Sequence, residues 1–411
     1  MIILKCPEIR FKNDDGNNYP NWEDKKLDNV FKFYKGKGIS KIELSEEGIP
    51  CIIYGELYTK YREVIGVVKS KTNIKKELLF MSEIGDILIP SSGETQKDIA
   101  TASTVMEKNV ALGGDINILR SKETINSPYV SYYLKHIKNI EISKLSQGNS
   151  VVHLYSKQLS NLKIEIPHLE EQQKIGDFFM LLDKRIEQQE QKIALLKDYK
   201  KAMMQKIFSQ KIRFKDENGN DYPDWEEKKL GEMFEVKKGI QISKKNLSLN
   251  GQKCILYGEL FTRYDEIIED VTSKTDLDIL PNSKYHDILM PSSDVTPNGL
   301  AKASCLLEND VILGGDINIL RYKNKKIFPP FFSYQINYYK KKIMDVVSGT
   351  TIKHVYSKNI EKLNYKLPLC IDEQEKITSF LLAIENNIKT QKEMVETLKK
   401  EKISLLNKMF V

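Results

Sequence analysis

Pro167–Phe208 reads PHLEEQQKIGDFFMLLDKRIEQQEQKIALLKDYKKAMMQKIF, and Pro368–Phe410 reads PLCIDEQEKITSFLLAIENNIKTQKEMVETLKKEKISLLNKMF. In the first stretch, alternating steps of four and three from Ile175 land on Phe179, Leu182, Ile186, Gln189, Ile193, Leu196, Lys200, Met203 and Ile207. The same steps from Ile377 land on Leu381, Ile384, Ile388, Gln391, Val395, Leu398, Lys402, Leu405 and Met409. This spacing is a coiled-coil seam. Glu170, Glu171, Asp372 and Glu373 put negative charge in the first turns, where the helix dipole favours it. The polar seam positions coincide, Gln189 with Gln391 and Lys200 with Lys402. A polar seam residue fixes register and partner number, the reading favoured here. The alternative is that it snorkels to water from a wide part of the seam.

Outward from these helices, the rest of the chain also comes twice. Tyr54–Tyr61 (YGELYTKY) returns as Tyr257–Tyr264 (YGELFTRY), an offset of 203, and LGGDINILR occupies both Leu112–Arg120 and Leu313–Arg321, an offset of 201. Ile9–Phe31 matches Ile212–Phe234, and His153–Pro167 matches His354–Pro368. A solenoid unit runs to about 20–50 residues; this repeat is domain-sized. Within each copy, short apolar runs (Cys51–Tyr54, Ile87–Pro90, Ile116–Leu119, Leu162–Ile166) are punctuated by turn residues and read as strands. Tyr129–Ile140 reads as a helix. Phe410 aligns with Phe208, and Ile9 with Ile212. The second copy therefore stops where the first copy's counterpart of the N-terminal segment begins. The expected fold is mixed α/β: two globular domains separated by two long antiparallel coiled-coil helices, in a circular repeat with pseudo-two-fold symmetry. The chain ends should be adjacent, with IRFKNDDGNNYP packed near the end of the second helix. A seam from Ile175 to Ile207 spans about 50 Å at 1.5 Å per residue, the length of a ruler between the domains.

The 411 residues are 40% hydrophobic, enough for two cores. No run approaches the ~20 apolar residues of a membrane span, and no signal-peptide pattern opens the chain, so a cytoplasmic location is expected. Five cysteines without a C-x-x-C pair argue against a disulfide scaffold or zinc ribbon. Cys51 and Cys254 read as small core residues. The net charge of +7 is modest, but Lys35, Lys37 and Lys41 surround Gly36 and Gly38, and Lys237, Lys238, Lys244 and Lys245 surround Gly239. Such a loop suits a polyanion, because the backbone approaches closely and each ammonium replaces a counterion. A plain solvated loop is the alternative.

Several motifs fail as chemistry. Pro223–Lys228 (PDWEEK) has the letters of a nuclease metal site, but its carboxylates stand too close together in sequence, and its counterpart PNWEDK lacks the first Asp. Both read as turns with Trp22 and Trp225 as packing anchors. FPPF (Phe328–Phe331) lacks the polar first residue of an amino-methyltransferase motif. GGD is no dinucleotide fingerprint, and neither a Walker A sequence nor a helical H-x-x-x-H occurs. No metal site is expected.

The repeated YGEL(Y/F)T(K/R)Y and LGGDINILR, and above all the two strand–Pro–x–x–EQ–x–x–I–helix junctions at Pro167 and Pro368, resemble the specificity subunit, HsdS, of bacterial type I restriction-modification systems. The first junction doubles its Gln and the second adds a residue before Glu373, so the helix starts differ by one place. The resemblance covers nearly the whole chain. It implies target recognition domains at 19–167 and 222–368, conserved helices at 168–209 and 369–411, an N-terminal segment at 1–18 and a connector at 210–221. It implies a non-catalytic subunit that reads a split, asymmetric double-stranded DNA site, one half per domain. Two methylation subunits, using S-adenosylmethionine on adenine N6, would dock on the helices. ATP- and Mg-dependent restriction subunits would complete the complex. This chain itself would hold no cofactor. A self-sufficient nuclease-methyltransferase or a coiled-coil adaptor without DNA binding are the other classes considered.

Candidate DNA contacts follow from the residue types that read base edges or hold phosphate. In the first copy they are Lys35, Lys37, Lys41, Tyr58, Lys60, Ser91, Ser92, Glu94, Thr95, Gln96, Lys97, Asn149 and His153. In the second they are Lys238, Lys244, Lys245, Arg263, Ser292, Ser293, Asp294, Thr296, Asn298, Thr351 and His354. PSSGETQKD and PSSDVTPNG share Pro-Ser-Ser and then diverge, as two different half-sites require; drift in a surface loop is the alternative.

Overall fold

A computed structural model describes residues 7–148 and 151–410. The chain forms two compact units. One takes the chain up to Glu190 and again from Glu393; the other runs Gln191–Lys392. Each is mixed α/β, and the two repeat one another.

In the first unit a five-stranded sheet runs in the order Phe31–Lys35, Ile116–Ser121, Ile87–Pro90, Ser103–Val105, Val64–Ile65. The second unit repeats it with Phe234–Lys238, Ile317–Tyr322, Ile288–Pro291, Ser304–Leu306 and Ile267–Ile268. The central strands ILIP and ILMP are buried at every residue, which explains their unbroken apolar runs. The Arg of LGGDINILR closes a two-pronged ion pair under this sheet. Arg120 donates to Asp86 at 2.9 and 2.7 Å, and Arg321 to Asp287 at 2.9 and 2.6 Å. Its Asn reaches the next segment: Asn117 Nδ2 donates to the Leu154 carbonyl, and Asn318 Nδ2 to that of Val355. The repeated nine residues are therefore frame.

A second sheet differs between units. In the first, Phe80–Met81 pairs with Ala111–Leu112 as an edge strand. Pro281 stands where Phe80 does, and a proline has no N–H to donate to a ladder. Asn282 takes over with its side chain, accepting from Leu313 N at 2.7 Å.

Two sequence expectations need correction. Pro20–Lys25 and Pro223–Lys228, expected as turns, run into strands Glu23–Lys26 and Glu226–Lys229, which pair antiparallel with Lys163–Ile166 and Asn364–Leu367. These strands use their backbones, so charged side chains cost nothing there. Trp22 and Trp225 are anchors as expected, their rings 6.0 Å from Tyr129 and 5.6 Å from Phe331. The helix expected at Tyr129–Ile140 is two, Ser127–His136 and Asn139–Leu145. Between them Lys138 leaves helical geometry and turns inward to Glu165 at 3.4 Å.

The long helices are α1, Leu169–Phe208, and α2, Ile371–Met409. They start two residues after Pro167 and three after Pro368, the one-place difference read from the junctions. Every α2 seam position from Ile377 to Lys402 is buried. Within the first unit the start of α1 runs antiparallel to the end of α2. Phe179 faces Phe410 with centroids 5.7 Å apart, Asp183 holds Lys402 at 2.7 Å, and Glu190 holds Lys399 at 2.9 Å. Within the second unit Met204, Ile207 and Phe208 share a core with Ile377 and Leu381.

The EQ junctions are structural joints. Glu171, expected to serve the helix dipole, is fully buried and takes both prongs of Arg10 at 2.9 and 2.7 Å. Glu373 takes Arg213 at 3.2 Å. Gln172 and Gln374 pin each helix start: each donates to the carbonyl of its Pro and accepts the backbone N–H of the residue capping an earlier helix, Asn126 before Ser127–His136 and Phe328 before Pro329–Tyr338. The expected closure is present too. Ile9 N–H donates to the Lys408 carbonyl at 3.0 Å, as Ile212 N–H does to that of Lys206 at 3.2 Å.

Candidate nucleic-acid interface

The repeated YGEL segment builds one wall of a groove. Glu56 is buried and caps its own short helix by accepting from Ile53 N at 3.2 Å, while Lys60 pairs with it at 2.6 Å. In the second unit Glu259 accepts from Leu256 N at 2.9 Å, and Arg263 reaches Glu259, Thr272 and Ser273 at 2.8, 2.6 and 2.9 Å. This network leaves the aromatics Tyr54 and Tyr58, and Tyr257 and Phe261, on the outer side. Tyr58 feels Glu94 and Asp98 from the opposite wall; burial, Tyr54 and these carboxylates push its hydroxyl up. In the second unit the opposite wall is as close: a Cβ on Gly299 would stand 3.2 Å from the Phe261 ring.

The groove of the second unit is about 1030 Å³. Lys244, Arg263 and Asp294, expected from the sequence, line it together with Gln241, Tyr257 and Asp316, which were not expected. Its signal was present in the exact repetition of LGGD, whose Asp ends exposed in both units. Gly38 and Gly93 occupy the first-unit positions of Gln241 and Asp294. The two units thus present different donors and acceptors on one frame.

The remaining expected residues scatter. Lys35 and Lys238 are exposed at the ends of their strands, and Lys37, Lys41 and Lys245 are exposed in the segments that follow. Gly36 and Gly239 leave no space for a ligand, whereas Gly38 faces open space. A Cβ on Gly36 would meet the Gly113 carbonyl at 1.9 Å, and one on Gly239 the Gly314 carbonyl at 1.8 Å, so the space is already filled by the LGGD backbone. Ser91, Ser92, Ser292 and Ser293 are buried. Ser92 Oγ lies 3.1 Å from His153 Nδ1, and the segments pair as Ser92 with His153 and Ser293 with His354. Both histidines stack on tyrosines, Tyr155 and Tyr356, that are more than half exposed. Thr95 and Thr296 cap short helices. Glu94, Gln96, Lys97, Asn298 and Thr351 are exposed. Asn149 lies outside the described residues. Burial pushes the Cys51 and Cys254 thiols up to about 11, as suits core residues. Among the described residues no group of His, Cys, Asp and Glu converges as a metal set, and no helix is long and apolar enough to cross a membrane.

Of the seam residues, Gln391 is buried against Asn387 at 3.2 Å and Gln189 is half-buried. The two lysines tie each unit's globular part to its helices. Lys402 bonds Asp183 of α1 at 2.7 Å and Glu63 of the globular part at 3.3 Å, over the ring of Tyr132. Lys200 bonds Glu266 at 2.9 Å and also Glu385 of α2, over the ring of Tyr334. Tyr132 donates to Asp183 at 2.5 Å and Tyr334 to Glu385 at 2.6 Å.

A family model, the type I restriction modification DNA specificity domain, matches residues 19–198 and again 222–400. The type I restriction enzyme MjaVIII specificity subunit of Methanocaldococcus jannaschii is 26% identical over 426 residues, covering 99% of this chain and 96% of that protein. The crystal structure of the type I restriction-modification S subunit from M. genitalium shares the fold, with a TM-score of 0.64 at 18% identity and 99% of each chain covered. A chain from work on complex assembly and conformational transition of the type I R-M system follows at a TM-score of 0.56 and 16% identity, covering 96% of this chain and 98% of that one. The chain belongs to the type I restriction-modification specificity subunit family and carries its DNA specificity domain twice.

Proposed function

We propose that the domains at 19–167 and 222–368 each read one half of a bipartite, asymmetric double-stranded DNA site, and that α1 and α2 set the unread spacing. The observation that carries this is the second-unit groove. It combines donors (Lys244, Arg263), acceptors (Asp294, Asp316), an amide (Gln241) and aromatic surface (Tyr257, Phe261). Those are the groups that distinguish base edges, a Gln suiting adenine and an Asp the amino group of cytosine. Two methylation subunits dock on the helices and carry out S-adenosylmethionine-dependent adenine-N6 methylation. Restriction subunits supply ATP- and Mg-dependent cleavage. This chain itself binds no cofactor. The complex-assembly work on a protein of the same fold supports a multisubunit setting.

The test is gel-shift binding of this subunit with its methylation partner at graded salt. A specific complex weakened by salt is expected. Gln241→Ala should relax preference in one half-site by about 1–3 kcal/mol and leave the other intact. An assembled methylase without sequence preference overturns the reading. So does a Gln241→Ala effect spread evenly over both halves.

A further inference from the structure

A second recess of the second unit, about 380 Å³, is lined by Lys197, Lys200, Lys201, Lys302 and Lys340, with Glu266 as an acid among them. Lys200 is engaged by Glu266 and Glu385. Lys302 faces Glu266 and helps hold its carboxyl low. No ion pair or side-chain hydrogen bond to a described residue engages Lys197, Lys201, Lys302 or Lys340.

The first unit treats the same positions differently. Lys399 stands for Lys197 and is paired with Glu190 at 2.9 Å. Ile403 stands for Lys201, and Thr101 for Lys302. Lys138 stands for Lys340 and is paired with Glu141 and Glu165 at 3.1 and 3.4 Å. Each charge is either neutralised or absent there. The second unit gathers like charges around one concavity, where each ammonium raises the cost of the next unless an anion joins them.

We propose that this recess binds a phosphate group, separately from the target groove. Lysines are compact point charges that bind a multiply charged oxyanion, and five of them line the recess. Its size admits a pyrophosphate-sized anion or backbone phosphates, at the small end of the ~300–1,000 Å³ of ligand sites. The phosphate comes either from a free phosphorylated small molecule or from the backbone of bound DNA. The second source rests on the proposed DNA reading; the first does not.

The test uses the full chain and the double variant Lys201→Ile, Lys302→Thr. Both replacements are the residues of the first unit, so the fold accommodates them. Pyrophosphate is titrated calorimetrically into the subunit, and target and non-target DNA are bound at graded salt with the methylation partner. A free-ligand site gives saturable pyrophosphate binding that the double variant weakens at least about ten-fold, with DNA binding unchanged. A backbone site lowers the salt slope by about 1.8, at about 0.9 per lost phosphate contact, equally on both DNAs. In either case Lys201→Arg, Lys302→Arg should restore binding. Wild-type and variant behaviour that coincide in both measurements, in a subunit that still prefers its target, overturns the phosphate site and leaves the reading function standing.

Discussion

The first unit's anchor gathers more basic side chains than the second unit's, which relies on Lys200, the unbonded charge of Lys302 and a proton. Around Glu63 and Asp183 stand Lys402, Lys135, His136 and Arg62. Burial pushes the Glu63 carboxyl up, but the His136 hydrogen bond and the charges of Lys135 and Lys402 outweigh it and hold the carboxyl well below its usual range. The counterparts of Arg62, Lys135 and His136 are Asp265, Asn337 and Tyr338. Glu266 and Glu385 therefore share Lys200 and each other. Burial, and the hydrogen bond and charge of Glu266, push the Glu385 carboxyl up, so it keeps its proton well past the ordinary carboxylate range. One geometry thus survives two charge inventories because a proton replaces the missing cations.

The sharpest break of this comparison removes the lysines. Lys200→Met strips the second anchor of the cation bonded to both carboxylates. It should destabilise that unit by about 3 kcal/mol, the lower end for an opened buried pair. Lys402→Met leaves Lys135, Arg62 and the His136 hydrogen bond in place and should cost about 1–2 kcal/mol. Each unit carries one tryptophan, Trp22 or Trp225. Urea unfolding followed in Trp225→Phe and Trp22→Phe backgrounds therefore reports each unit alone. Equal losses would show that the extra cations of the first unit carry no load.

The helix joints extend the contrast. Arg10→Ala leaves Glu171, whose side chain is wholly buried, without its charge partner, at a cost of about 2–3 kcal/mol. Arg213 holds Glu373 at longer range, 3.2–3.4 Å, and shares itself with Asp224. Burial already pushes the Glu373 carboxyl up. Arg213→Ala should therefore cost about half as much, because Glu373 takes a proton more readily. A larger loss for Arg213→Ala in the same unfolding experiment would reverse the assignment.

The pH dependence separates the anchors by sign. A raised carboxyl means the folded unit holds a proton that the unfolded chain has released. The second anchor therefore weakens as pH rises above the ordinary carboxylate range, and the loss is complete above the raised value of Glu385. The lowered Glu63 stabilises the first unit above the ordinary value, and that contribution is lost as pH falls through its folded value. Raising pH from about 5 to about 8 should lower the Trp225 unfolding midpoint relative to the Trp22 one. Glu385→Gln should flatten the Trp225 profile, since an amide keeps a donor in place without titrating. An unchanged slope in that variant would locate the proton elsewhere.

These anchors mark the limit of what the sequence shows. The heptad steps located both helices, because a seam repeats along contiguous residues and burial follows it. The repeat itself implied the closure at Ile9 and Lys408. Lys200 and Lys402 stood out as polar interruptions, yet their partners lie 66–339 residues away, and no local pattern encodes such a contact. The groove was partly legible. Lys244, Arg263 and Asp294 were found by residue type, whereas Gln241 and Asp316 enter only when LGGD folds against the glycine loop. Ser91 and Ser92 are buried, and Ser92 pairs with His153, a placement that residue type alone does not give, because small polar residues at a strand end serve backbone pairing and base reading equally well.

The smallest expected effect tests whether the frame tolerates substitution of backbone by side chain. At the edge of the second sheet, Asn282 accepts from Leu313 N where the first unit uses a strand. Removing the amide leaves a buried N–H without an acceptor, because Pro281 prevents the segment from forming the ladder that Phe80–Met81 makes. Asn282→Ala should cost about 1–2 kcal/mol in the Trp225-reported transition. Asn282→Asp keeps the acceptor for Leu313 N but loses the donor that reaches its carbonyl at 3.4 Å, and should cost less than Asn282→Ala. If Asn282→Ala is neutral, the edge is held by packing alone, and the two sheets are equivalent despite their different hydrogen bonds.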